Sequence, residues 1–153
     1  MSALQITFSI PSLRARSHVA YLRKNLQVAH RLLKSPLQQL SIAMISDKRM
    51  IALHKRFMGI AKTTDVLSFA QESDQRGRCV EGEIAICIPQ AARSAKKIRV
   101  QLKDELLLYA LHGLLHLSGF DDRTERDYHI MHRREDAILR RLGVGPIFWK
   151  ERP

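Results

Sequence analysis

Leu4, Ile6, Phe8 and Ile10 alternate with polar or small residues, the two-residue period of a half-buried strand, and Pro11 ends the run. From Ser12 to Ser35, the apolar positions Val19, Leu22, Leu26, Ala29 and Leu33 recur at helical spacing, and Pro36 closes the segment. Leu40 to Ile45 is a second apolar run of strand length. Asp47 follows as a capping residue for a helix through Met50, Leu53, His54 and Phe57 to Gly59.

Val66 to Phe69 and Ile84 to Ile88 are short runs rich in β-branched and aromatic residues, and therefore predict strands. Between them Gln71 to Val80 carries Ser73, Asp74 and Gly77, which reads as a connection joining paired strands. Pro89 suits a first helical position, so Gln90 to Arg99 predicts a short basic helix. Two longer helices follow, Lys103 to Ser118, broken at Gly119, and Thr124 to Leu142, stopped by Gly143 and Pro146. The order predicts an α+β fold in one domain, residues 1–153, with helices packed on a small sheet.

Composition narrows the setting. The longest nearly apolar stretch, Leu106 to Leu117, falls short of the roughly 20 residues a bilayer span needs, and His112 and His116 interrupt it. Nothing at the N-terminus has the basic-then-apolar order of a signal peptide, so no membrane association and a cytoplasmic location are expected. Cys79 and Cys87 are too few for a disulfide framework and too far apart for a zinc-finger pair, and they are read as reduced thiols.

Charge points to a partner. With 26 Lys and Arg against 15 Asp and Glu, the formal charge is +11, which attracts polyanions and makes nucleic acid the leading partner class. The cations cluster early (Arg14, Arg16, Arg23, Lys24, Arg31, Lys34), in the middle (Arg93, Lys96, Lys97, Arg99, Lys103) and late (Arg133, Arg134, Arg140, Arg141).

The segment that carries chemistry is His112-Gly-Leu-Leu-His116-Leu-Ser-Gly119-Phe-Asp121-Asp122. Residues four apart share a helix face, so both imidazoles can point at one ion. Gly119 supplies a left-handed residue that ends the helix and turns the chain back, bringing Asp122 within reach as an oxygen ligand. Two nitrogens and a carboxylate leave a tetrahedral zinc, one per chain, with an open position for water. That is the arrangement of a catalytic site, and zinc lowers the pKa of such a water to about 7.

The spacing is also that of a zinc-protease helix, except that Gly113 stands where the protease carries its glutamate base. A peptidase would need another carboxylate, Glu81 or Glu83, and would leave a +11 surface unexplained. His129 and His132 lie three apart on the last helix; either could replace Asp122, but an exposed basic helix face is the expected role of both. His18, His30 and His54 have no ligand spacing and are read as surface or core residues. Asp121 is suited either to hydrogen-bond a ligand histidine or to cap the following helix.

With these residues in view, the segment from His112 resembles the signature of the YbeY family of bacterial metal-dependent endoribonucleases. That signature has two histidines four apart, a glycine, an aromatic–Asp pair and a third histidine. Thr64-Asp65-Val66-Leu67-Ser68-Phe69 is similar to the family's strand motif, and Gly82-Glu83-Ile84 to its Gly-Asp-Ile. Met131, Glu135, Ile138, Leu139, Leu142 and Gly143 fit the spacing of its last helix.

The resemblance implies a small mixed four-stranded sheet packed with about five helices, and a zinc ion in a cleft beside a basic surface. It also implies single-stranded RNA as substrate, and a role with the small ribosomal subunit in 16S ribosomal RNA maturation and ribosome quality control. Two positions depart from the family pattern. Asp122 stands for the third histidine, which adds negative charge and makes a bound water less acidic. Met58 stands for an arginine suited to phosphate, leaving Arg56 and Lys62 as candidate substrate-binding cations. The alternative function is a catalytically weak ribosome-associated RNA-binding factor with a structural zinc.

Overall fold

Alternation in β1 (Gln5–Ser9) buries Ile6 and leaves Thr7 and Ser9 outside, as a strand with one covered face requires. This computed structural model describes residues 3–10 and 13–147; Pro11 and Ser12, read as the strand stop and the helix start, lie outside them. The long helix expected from Ser12 to Ser35 is two: α1 (Leu13–Arg16) and α2 (Val19–Leu33), parted by a turn at Ser17 and His18. The apolar stripe of α2 starts only at Val19, and across residues 13–18 Ala15 alone among the described side chains is buried in the core, too small a face to hold one continuous helix.

β2 (Gln39–Ile45) leads into α3 (Asp47–Met58). The cap is Ser46, not Asp47: its hydroxyl accepts the Arg49 amide at 3.2 Å, and Asp47 is already helical. Asp47 instead accepts both Arg93 guanidinium nitrogens at 2.8 and 2.9 Å, which holds its carboxyl down at about 2.

β3 (Val66–Ser73) and β4 (Cys79–Cys87) are longer than the apolar runs suggest, so the turn between them shrinks to residues 74–78. Asp74 closes that turn by accepting the Arg76 and Arg78 amides. α4 (Ile88–Ile98) has Pro89 in its first turn, α5 (Leu102–Leu117) ends before Gly119, and α6 (Glu125–Arg141) completes the order.

The sheet order is β1-β2-β4-β3, with β1/β2 and β2/β4 parallel and β3/β4 antiparallel. It is the mixed four-stranded sheet expected, carrying five longer helices and the four-residue α1 among the described residues. No helix there is long and apolar enough to cross a membrane.

α5 is the hub: it packs against α2, α4, α6, β3 and β4, and its leucines from Leu106 to Leu117 are buried all round. Ile84 and Ile86 of β4 face that core, whereas Ala85 and Cys87 turn to a smaller cluster with Met50 under α3. Where α5 crosses β4, a Cβ on Gly113 would lie 2.7 Å from Ile84 Cδ1, inside contact distance. Glycine here lets the histidine-bearing helix sit directly on the sheet.

Candidate metal centre

His112 and His116 lie one turn apart at the C-terminal end of α5, so helix geometry alone aims both rings to one side. The helix then stops in a Schellman turn: Gly119 takes φ +105°, its amide donates to the His116 carbonyl, and the Phe120 amide donates to the Leu115 carbonyl. This reversal carries Asp122 back over the histidines.

His112 Nε2 and His116 Nε2 are 3.1 Å apart, and each lies 3.5 Å from Asp122 Oδ2. Donors held tetrahedrally around zinc at about 2.0–2.1 Å stand roughly 3.3 Å from one another. The three atoms therefore form a triangle of the size that one such ion requires. The side chains remain 20%, 25% and 34% exposed respectively, so the triangle has an open side.

The far nitrogens are tied down. His112 Nδ1 lies 3.2 Å from Glu135 Oε2, and His116 Nδ1 lies 3.2 Å from the Phe120 carbonyl oxygen. Nδ1–H donates in both, which leaves each Nε2 lone pair facing the triangle. Glu135 is 0% exposed, and its other oxygen accepts from His132 Nδ1 at 3.0 Å. His132 in turn stacks on His112 with ring centroids 5.5 Å apart.

Electrostatics follow from this packing. Burial pulls the His112 pKa down, but the hydrogen bond and charge of Glu135, with the charges of Asp65 and Asp122, reverse the sign and raise it. For His116, burial and the neighbouring His112 charge prevail, and its pKa is lowered. Two clefts flank the triangle: one of about 270 Å³ walled by Asp65, Val66, Tyr128 and His132, the other of about 370 Å³ walled by Ser68, Phe120 and Arg123.

His112, His116 and Asp122 are thus brought together, while other sequence readings change. His132 is not on an exposed basic face but 2% exposed beside His112; only His129 is exposed, 4.0 Å from Glu125. Asp121 serves neither expected role: it accepts the Asp122 amide and pairs with Arg123, while Thr124 caps α6. Arg56 and Lys62 wall neither cleft; Arg56 lies over the Phe57 ring, and the Lys62 carbonyl accepts from His54. Met58, in place of the family arginine, is 61% exposed at the end of α3.

Glu81 and Glu83 flank Gly82 and alternate with Ile84, so they face away from α5 and wall neither cleft. No glutamate base stands at the triangle from β4. Glu135, a site residue that no ligand spacing marks, falls in the apolar stripe of Met131, Ile138 and Leu139. A charged residue in such a stripe signals a buried partner.

Comparison with known proteins agrees with this architecture. The family described as Endoribonuclease YbeY matches residues 6–143. A protein named Endoribonuclease YbeY from Desulforamulus reducens is 34% identical over 117 residues, covering 72% of this chain and 76% of that protein. One of the same name from Desulfitobacterium hafniense is 29% identical over 145 residues, covering 89% and 92%. The solution structure of TM1509 from Thermotoga maritima superposes with a TM-score of 0.59 at 20% identity, covering 97% of this chain and all of that one, and so shares the fold. By matched length, by identity and by the histidine motif, the chain belongs to the YbeY family.

Proposed function

We propose that this protein is a zinc-dependent endoribonuclease that cuts single-stranded RNA during maturation of 16S ribosomal RNA, and that it acts in ribosome quality control in the cytoplasm. The relatives' shared name supports the nuclease reading. The donor triangle of His112, His116 and Asp122 carries the metal dependence, because apolar packing gives no reason for three polar donors spaced this way with both distal ring nitrogens already bonded.

When bound, the ion supplies Lewis acidity toward a phosphoryl oxygen and acidifies a water. The chain's own contribution is positional. Glu135 and the Phe120 carbonyl fix the tautomer and tilt of the two imidazoles, and the Gly119 turn sets the carboxylate opposite them. The open side admits an RNA phosphate between the two clefts, with Arg123 on the rim of one. Charge of +11 draws the strand toward the protein.

Metal analysis combined with an RNA cleavage assay tests this reading. One zinc per chain, cleavage abolished by a chelator and restored by zinc, and loss of both metal and cleavage in Asp122→Ala are expected. Cleavage indifferent to chelator and substitution would overturn it. A 2′-deoxy nucleotide at the cleaved position separates attack by water from attack by the substrate's own hydroxyl, since only the former survives it.

Two further results are expected. Glu135→Gln removes the charge that orients His112 and is expected to weaken zinc binding about 10–100-fold, measured by competition with a chelating dye. The raised His112 pKa fixes a pH dependence in the metal-free protein: its stabilisation is full below the unfolded histidine value of about 6.5 and fades as pH rises through the raised folded value. Zinc competes with that same proton, so the stability added by zinc moves the opposite way and grows with pH. Because the lowered His116 pKa contributes with the opposite sign over the same range, urea titrations of wild type and His112→Gln across neutral pH, with and without zinc, isolate the His112 contribution.

A further inference from the structure

The largest cleft among those described lies away from the donor triangle, on the outer side of α6 beside the end of α2, and holds about 920 Å³. Arg133, Arg134, Arg140 and Arg141 wall it, together with Leu32 and Asp136. Among the described residues, no carboxylate lies within ion-pair distance of any of these four guanidiniums. Arg134 donates to the Leu32 carbonyl at 3.0 Å, which ties one wall of the trough to α2 and fixes that guanidinium.

Asp136, one turn from Arg140, offsets part of this charge, but four guanidiniums against one carboxylate leave the concavity positive, and an anion entering the trough relieves their repulsion. The forked guanidinium donors match phosphate oxygens in particular.

A ribonucleotide chain presents such phosphates at every step. We propose that this trough is a second RNA-binding site, in which the arginines hold phosphodiester groups. Glu135 and Asp136 are consecutive in α6 yet wall the metal-side cleft and the trough respectively. A strand held in the trough is thus anchored by the same helix that orients His112, outside the cleft where cutting takes place. The inference rests on the reading of RNA as substrate but not on the cleavage chemistry.

The test is fluorescence anisotropy of the full-length, zinc-loaded protein with a labelled single strand of roughly twelve nucleotides, as RNA and as DNA, read in the first seconds after mixing. The triple variant Arg133→Gln, Arg140→Gln, Arg141→Gln is expected to bind RNA at least about tenfold more weakly, and to lower the slope of log affinity against log salt by about two. A control triple variant, Arg76→Gln, Lys96→Gln, Lys97→Gln, removes the same charge from other exposed positions and is expected to lose far less. Equal losses in the two variants, or an unchanged salt slope in the first, would overturn the proposal.

DNA of the same sequence carries the same phosphates and is expected to lose affinity to a similar extent in the first triple variant, with folding checked by thermal melting. A loss confined to RNA overturns the assignment of the arginines to phosphodiester groups. Because binding is read separately from cleavage, a protein that binds in this way without cutting overturns the nuclease reading alone.

Discussion

His116→Ala is expected to leave a folded domain whose RNA cleavage has fallen at least about 10³-fold, a loss of roughly 4 kcal/mol of transition-state stabilisation. The reasoning is geometric. Removing one of three donors leaves His112 and Asp122, whose two atoms 3.5 Å apart no longer enclose a site. The fold does not depend on the lost ring: the His116 side chain is a quarter exposed, and the Gly119 turn is closed by backbone bonds. Metal content, cleavage rate and thermal midpoint measured together decide the matter. An unfolded variant alongside an inactive wild type would instead favour a zinc whose role is structural.

Gly113→Glu is expected to do the reverse and unfold the protein. This substitution restores the glutamate that a zinc protease carries at the corresponding helical position. Even alanine there places a Cβ 2.7 Å from Ile84 Cδ1 and 2.9 Å from Ile84 Cγ1, an overpacking that costs about 1–3 kcal/mol. A glutamate adds a carboxylate facing the apolar side of β4, with a further cost of several kcal/mol. Against a total stability of roughly 5–15 kcal/mol, the sum is decisive. Urea denaturation of Gly113→Ala alone and combined with Ile84→Ala provides the graded test. Truncation at 84 relieves the clash, so the double variant should fall short of the summed single losses. Strict additivity would show that the close crossing of α5 over β4 is not what selects glycine.

The donor triangle was readable because each part has a local signature. The i, i+4 histidines require only a helix, and Gly119 three residues on requires only the commonest way of ending one. The supporting residues were less readable, because His132 and Glu135 sit in a helix crowded with arginines and acids, where a polar residue ordinarily faces water. Only their register with Met131, Ile138 and Leu139 marks them as inward, and register becomes informative once a helix is known to be half-buried.

Strand ends were hidden for a different reason. Gln71, Glu72 and Ser73 belong to β3, but this is an edge strand whose far half is exposed, so its composition is that of a loop. The break between α1 and α2 had no apolar signal, since the stripe that defines α2 begins after it. Arg134 and Arg141 could be grouped by charge in the sequence, but their gathering around one trough depends on where the end of α2 comes to rest.

The backbone of α5 has an influence of its own. Its carbonyls all point toward the end that carries His116, concentrating there the equivalent of about half a negative charge. Together with the Asp122 carboxylate, that pole disfavours phosphate at the triangle and favours a divalent cation there. Under the proposed function, the cation is therefore expected to bind before the nucleic acid, the helix acting as an electrostatic gatekeeper that turns substrate away from a centre not yet equipped to act on it.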